Sequence, residues 1–376
     1  MNASGASVRN VVVGMSGGVD STLCAWLLLR QGYQVTGVTM RTWQGTGSTD
    51  ETPVQRTGCY GPGEAHDIEA AAQAAHRLGI THHVLDLTAD YQRDVLAYFR
   101  SEYQAGRTPN PCVRCNRTVK FGALLDHVRS AGIPFDRFAT GHYARVERMN
   151  GGHHPSLFRG VDRFKDQSYF LCRLTADQLS QVMFPLGTLT KTETRELARS
   201  AGLGDYADKP ESQDFIDRGQ ESLLFEASDA HPGPIEMPDG RQIGEHRGII
   251  HYTIGQRKGL GLSGTSEPLY VIRIDTCRNA LIVGPQASLQ SRRLESHDMH
   301  WIEPPAPGCQ PLRVHAQIRQ QHAAAPAVVT WRDPACPTRI TITFDDPQLA
   351  ITPGQTVACY EGDRVLGGGT IEIPAG

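Results

Sequence analysis

Near the start of the chain, Gly14-Met15-Ser16-Gly17-Gly18-Val19-Asp20-Ser21 has the composition of an anion cradle. It follows Arg9 to Gly14, an apolar run that reads as a buried parallel strand, and precedes Thr22 to Gln31, an amphipathic helix closed by Gly32. At such a corner the loop and first-turn N–H groups are unpaired, and the helix dipole favours an anion. Two adjacent glycines let the main chain approach a phosphate with no Cβ in the way. Ser16 and Ser21 add hydroxyl donors, and Asp20 can hold a magnesium ion through water. No lysine follows in the G-K-[ST] manner, so the loop is not a Walker loop. The bland alternative is a glycine-rich turn that binds nothing.

A second constellation is Gly106-Arg107-Thr108-Pro109-Asn110-Pro111-Cys112-Val113-Arg114-Cys115-Asn116. Its prolines predict an extended or turn conformation rather than a helix. Cys115 then falls just ahead of a helix predicted over 121–130. Arg114, Arg117 and Lys120 supply positive charge, which lowers a thiol pKa as a helix N-terminus does, and the thiolate is the competent nucleophile. No second C-x-x-C or spaced histidine pair lies near it to complete a zinc site. The prolines also argue against a thioredoxin-like pair.

The elements that must position these groups alternate in the manner of a doubly wound α/β sheet. Strands are expected over 34–40, 82–86 and 138–146. Helices are expected over 67–78 and 92–103, with helical periodicity over 179–202. After about Glu211 the texture turns to Gly, Pro and short β-branched runs, as at 270–274, 281–283, 340–344 and 369–373. A length of 376 residues suggests two or three domains. The boundaries fall near 1–211, 212–275 and 276–376.

Hydrophobic residues at 39% and charged residues at 20% are ordinary globular composition, and the net charge of −3 carries no global nucleic-acid signature. No apolar run reaches membrane-spanning length, and the N-terminus lacks a signal-peptide pattern, so a cytoplasmic protein that avoids membranes is expected. Of the nine cysteines, Cys24, Cys172, Cys277, Cys309, Cys336 and Cys359 are scattered and read as small buried hydrophobes.

The GMSGGVDS octet resembles the PP-loop of ATP pyrophosphatases, which implies ATP cleavage between the α- and β-phosphates and adenylation of a carbonyl or carboxyl oxygen. Together with GRTPNP-x₃-CN-x₃-KFG, the chain is similar over nearly its whole length to the bacterial and organellar tRNA-specific 2-thiouridylases. The other matching pieces are ATGHYAR (139–145), KDQSYFL (165–171), ESQDF (211–215), YTIGQRKGLGL (252–262), PLYV (268–271) and TPGQ (352–355), in the same order and spacing. The resemblance implies a PP-loop domain, a small central domain and a C-terminal β-barrel that holds the tRNA anticodon arm. The implied reaction is 2-thiolation of a wobble uridine. The C2 oxygen is adenylated, and sulfur then arrives from a persulfide on Cys115 as AMP and pyrophosphate are lost. A cysteine desulfurase relay or other sulfur-donor protein is the implied source, and tRNAs for lysine, glutamate and glutamine the implied substrates.

Residue by residue, ATP contacts fall on Gly14, Met15, Ser16, Gly17, Gly18, Val19, Asp20, Ser21, Met40 and Gly141. The target base lies against Asn110, Pro111 and Cys112. RNA contacts fall on His142, Lys165, Asp166, Gln167, Arg319, Gln320 and Gln355. Arg313, His315, Arg319, His322 and Arg332 suggest a phosphate-facing patch. Cys115, Cys112 and Asp20 form the expected catalytic set.

Two departures bear on mechanism. Many family members have Asp where this chain has Cys112. Many also have a second catalytic cysteine two residues after SQD, where this chain has Ile216. One scheme has Cys112 resolve the Cys115 intermediate within a bent turn. A rival has Cys59, Cys112 and Cys115 hold a [4Fe-4S] cluster that carries sulfide. An amide-forming PP-loop ligase and a tRNA-binding paralogue without catalysis are the alternative functions.

Overall fold

The computed structural model describes residues 9–45, 58–149, 154–207, 214–216, 224–264, 267–306, 310–331, 333 and 337–372. The chain forms two compact units, one from residues 1–94 and 114–219, the other from 95–113 and 220–376.

In the first unit the chain runs β1 (Asn10–Gly14), α1 (Val19–Arg30), β2 (Gln34–Arg41), β3 (Gly58–Tyr60), α2 (Glu64–Leu78) and β4 (Thr81–Asp86). After α3 (Thr88–Tyr91) the chain enters the second unit for α4 (Ala97–Gln104) and the start of α5 (Pro111–Cys115), then returns to the first for α6 (Leu124–Ser130) and β5 (Arg137–Ala139). The hairpin β6 (Ala144–Arg148) and β7 (Pro155–Arg159) follows, then β8 (Val182–Met183) and β9 (Asp214–Ile216). A parallel sheet has the order β4-β2-β1-β5-β8. Val11, Val12 and Val13 of the central strand are buried, as a strand covered on both faces requires. The core adds Leu23, Cys24 and Leu28 of α1 and Ala71, Ala74 and Ala75 of α2. Because β2 and β5 flank β1 on opposite sides, the sheet reverses its winding there. The carboxyl ends of β1 and β5 therefore frame the crevice where such folds bind ligands.

Two expected elements are divided. The strand expected over 138–146 breaks at Thr140–Tyr143 into β5 and β6, which puts that turn at the crevice. The periodicity over 179–202 is split between the helix Ala176–Gln181 and the helix Lys191–Ser200, because β8 between them joins the sheet beside β5. Each of these helices opens on a capping box, Thr175 with Gln178 and Thr190 with Glu193.

In the second unit β10 (Gly233–Glu236), β11 (Gln242–His246), β12 (Tyr270–Asp275) and β13 (Ala280–Gly284) form a sheet of order β11-β10-β13-β12. Ile235, Tyr252, Val271, Leu281 and Val283 make its core. Then β14 (Gln290–Ser296), β15 (His300–Trp301), β16 (Leu312–Gln317), β17 (Ala325–Trp331), β18 (Ile340–Leu349), β19 (Thr356–Glu361) and β20 (Arg364–Thr370) form an antiparallel sheet. Its order runs β14-β18-β17-β16-β19-β20, with β15 on β20. Reciprocal backbone bonds between Glu295 and Glu372 join the first strand to the residues after the last, closing the sheet around Leu294, Val314, Val329, Ile342 and Val357. Among the described residues no helix is long and apolar enough to cross a membrane.

Candidate active site

The glycine loop occupies the crevice. Gly14 ends β1, and the Met15 amide donates to Val38 O of β2 at 2.8 Å, carrying the strand geometry one residue further. Gly17 has φ +73°, and a Cβ there would stand 2.7 Å from the Ala70 methyl of α2, so only glycine fits. Ser16 N donates to Ser21 Oγ at 3.2 Å, and Ser21 Oγ reaches Gly18 O at 3.1 Å. The two expected hydroxyls, Ser16 Oγ and Ser21 Oγ, lie 3.3 Å apart and so also brace the loop. Val19 opens α1, and Gly18 is its N-cap with no side-chain partner for the first-turn amides. Met40, half-buried, lies near the carboxyl end of β2. Gly141 packs against the same turn, where a Cβ would fall 2.7 Å from the Asp20 carbonyl carbon.

Asp20 points to a cation of the protein itself. Its two carboxylate oxygens accept from Lys191 Nζ at 2.7 and 2.8 Å, and Tyr143 Oη donates to one of them at 2.9 Å. Tyr143 Oη also lies 3.1 Å from Thr194 Oγ1, which ties the helix Lys191–Ser200 to the loop. Sequence reasoning missed Lys191, Tyr143 and Thr194. The Thr190–Glu193 capping box was readable and marks where that helix starts, but nothing in the sequence told that its first lysine turns inward.

Cys115 differs from expectation. Asn110 is the N-cap of α5, its Oδ1 accepting from Val113 N at 3.2 Å, and Pro111 takes the first helical position, where its missing N–H costs nothing. The segment from Cys112 to Cys115 is therefore helical, not a bent turn. It continues through a π-helical stretch, Asn116–Ala123, into α6. Gln178 Nε2 donates to two carbonyls within that stretch, Arg117 O at 2.8 Å and Phe121 O at 2.9 Å. Burial pushes the Cys115 thiol up to about 12, opposed by the Lys120 ammonium and a hydrogen bond from its backbone, and reinforced by nearby Cys59. The expected depression by positive charge is outweighed by desolvation. At rest the thiol keeps its proton.

Several residues expected at RNA hold the protein together. Asp166 is buried, and its carboxylate accepts from Arg159 Nη1, Gly160 N, Ser168 N and Ser168 Oγ at 2.8 to 3.1 Å. Gln167 Oε1 accepts from Tyr143 N at 3.0 Å, fixing the turn that carries Gly141 and His142. Lys165, half-buried, donates its amide to Asp162. His142 pairs with Thr140 Oγ1 at 2.7 Å between the rings of Phe121 and Phe184, and desolvation, helped by Lys120, holds its pKa well below the usual histidine value.

In the second unit Gln355 Nε2 donates to Thr108 O at 3.1 Å and Pro109 O at 3.0 Å, while Thr108 N reaches Pro353 O at 2.9 Å. The turn Thr352–Gln355 so fastens the chain just before α5. Arg319 Nη1 donates to Leu349 O, and Gln320 O accepts from Gln317. Within the expected basic patch Arg313 is neutralised by a two-pronged pair with Asp345, and His322 meets the uncharged Gln348 amide. His315 is exposed on β16. Arg332, Cys309, Cys336 and residues 211–213 lie outside the described residues. Cys24, Cys172 and Cys359 are buried as expected, but Cys277 is exposed.

A doubly wound unit with a glycine loop at its switch point, followed by two small β-sheets, is the architecture of a PP-loop protein with appended modules. Residues 9–217 match the tRNA methyl transferase HUP domain family, 221–285 the tRNA methyl transferase PRC-barrel domain and 291–371 the aminomethyltransferase beta-barrel domain. A tRNA-specific 2-thiouridylase MnmA of Endomicrobium trichonymphae is 42% identical, with 96% of this chain and 98% of that protein aligned. Its counterpart in Chloroflexus aurantiacus is 44% identical over 98% and 99%. Among solved structures, a 4-thiouridine synthetase–RNA complex with bound ATP overlaps at TM-score 0.30, with 16% identity, covering 56% of this chain and 46% of that one. The chain belongs to the tRNA-specific 2-thiouridylase family.

Proposed function

We propose that the protein uses ATP to replace the C2 oxygen of a tRNA wobble uridine with sulfur. The observation that carries this reading is the presence, in the same compact unit, of the strand–glycine-loop–helix corner and of Cys115. The corner's amides and Ser16 receive the phosphates of ATP, and Gly141 leaves room beside them. The uridine oxygen attacks the α-phosphate and pyrophosphate departs, its charge stabilised by the loop N–H groups. The C2–O bond now ends in AMP, a good leaving group. A terminal persulfide sulfur on Cys115, supplied by a sulfur-donor protein or desulfurase relay, displaces it. Splaying the wobble base out of the anticodon loop makes C2 reachable.

Lys191 takes up the Asp20 carboxylate and so neutralises the charge that a protein-held Mg²⁺ would use. A magnesium ion that came with ATP would supply charge neutralisation at the phosphates, while Asp20, held by Lys191, orients the first turn of α1. The three-thiolate set of an iron–sulfur cluster does not fit either. Among the described residues no group of three or more His, Cys, Asp or Glu is placed to hold a metal ion.

Incubation with ATP, a persulfide donor and unmodified tRNA tests the reading. AMP and thiolated nucleoside should appear one to one, with no AMP when tRNA is omitted. An amide ligase would release AMP without tRNA, and a non-catalytic paralogue would bind tRNA and release none.

A further inference from the structure

The turn over 161–165 follows β7 and presents one aromatic ring to solvent. Phe164 is 99% exposed, whereas the other large apolar side chains at the surface of the described residues, Val84, Met149 and Val161, are 37 to 52% exposed. A single exposed apolar residue is ordinary. Phe164 is set apart by the rigidity of its mount and by the charges beside it. Asp162 Oδ1 accepts from Phe164 N at 3.0 Å and from Lys165 N at 3.2 Å, which closes the turn on its own side chain. Val161 N donates to Gly187 O at 3.0 Å on one side, and Gln167 N to Tyr143 O at 2.9 Å on the other. The ring is held out by a backbone pinned at both ends, with little ordering left to lose when a ligand covers it.

The acids of this segment are spent inside the fold. Asp162 gives its second carboxylate oxygen to Lys191 N at 2.9 Å, and Asp166 takes its four donors from Arg159, Gly160 and Ser168. Over 159–166 the three cations Arg159, Arg163 and Lys165 outnumber these two acids, and Arg163 and Lys165 flank the ring in sequence. An aromatic face between cations is how single-stranded nucleic acid is held, the ring taking a base and the cations its backbone. A protein partner needs much more, because a specific interface covers roughly 800 Å² on each side. Lys191 also bridges the turn to the nucleotide corner within the first unit, its main-chain N on Asp162 and its Nζ on the Asp20 carboxylate.

We propose that Phe164 is a stacking platform for an unpaired base of the bound tRNA, with Arg163 and Lys165 serving the phosphates on either side of that base. The inference rests on the reading that tRNA is the substrate. Loop bases are the ones free to leave their neighbours and stack on a side chain. Every base has a π-face, so the platform contributes affinity and placement rather than choice of sequence. Because a single residue joins the turn to the corner, a base seated on Phe164 holds the strand beside the place where the target uridine meets ATP.

Binding of unmodified full-length tRNA to the full chain is the test. Phe164→Ala should raise the Kd roughly five- to a hundredfold, the loss expected for one stacked base. The KM for tRNA should rise in step while kcat holds, and the melting temperature should not move, since the ring stands almost wholly in solvent. Stacking neutralises no phosphate, so the slope of log Kd against log salt should be the same in both proteins. Phe164→Tyr keeps the aromatic face and should bind within about twofold of wild type, whereas Phe164→Leu, apolar without that face, should resemble Phe164→Ala. A fully paired RNA duplex should bind Phe164→Ala and wild type alike. Unchanged tRNA affinity in Phe164→Ala, or full affinity in Phe164→Leu, would overturn the platform. So would normal tRNA binding in Phe164→Ala together with slower sulfur loading of Cys115 from a donor protein, which would mark the ring as that protein's docking point. If the wild type makes no thiolated uridine and Phe164→Ala still loses tRNA affinity, the thiolation reading falls and the platform stands.

Discussion

Serine at position 115 should abolish thiolation, lowering the rate by at least roughly a thousandfold, as loss of a nucleophile does. The oxygen of serine occupies nearly the same space but cannot carry a persulfide, so the packing of α5 and the π-helical stretch should survive. Binding of tRNA, read by filter retention, should stay within about twofold of wild type. Adenylation precedes sulfur transfer in this scheme, so Cys115→Ser should still form the adenylated uridine, which returns slowly to AMP and uridine in water. A separation of AMP release from thiolation is the signature. Thiolated product from Cys115→Ser at a tenth of the wild-type rate or more would remove Cys115 from the chemistry.

The second large effect is expected at Lys191, which acts through stability and ATP use together. Its side chain is 8% exposed and that of Asp20 29%, so Lys191→Met strands a carboxylate in a largely desolvated place. Breaking such a pair from one side costs about 3–5 kcal/mol. For a unit of this size that corresponds to a fall in melting temperature on the order of 10 °C. Because Asp20 sits in the first turn of α1, its release should also disorder the amides that receive phosphate, and the KM for ATP should rise. The double variant Asp20→Asn, Lys191→Met leaves no stranded charge and should regain much of the stability, but not the activity. Equal instability in single and double variants would show that the pair is not what holds the loop.

The features that repeat locally were legible in the sequence. A run of valines before a glycine loop can only be a buried parallel strand entering a helix, and the structure has β1 and α1 there. The thiol environment was legible in its residues but not in its sign. Arg114, Arg117 and Lys120 are visible as charges, whereas the burial that outweighs them is a property of the packed fold that no local pattern announces. Pro111 misled for a definite reason, since a proline inside a helix breaks it but one at the first position starts it, and the difference lies in the Asn110 cap. The inward course of Lys191, the clamp of Gln355 on residues 108–109 and the pairing of β3 with β9 are long-range contacts with no local pattern. Asp166 shows the converse. Its place in the KDQ motif points to RNA, while its four donors make it the centre of a buried turn.

Isotope tracing of the wobble oxygen bears most directly on the central claim. An anticodon stem-loop carrying ¹⁸O at uridine O2 is turned over once with ATP and persulfide-loaded protein, and the AMP is weighed by mass spectrometry. Adenylation of that oxygen followed by sulfur displacement predicts AMP carrying the heavy oxygen, one label for each thiolated uridine. Unlabelled AMP, with the label in water or pyrophosphate, would contradict it.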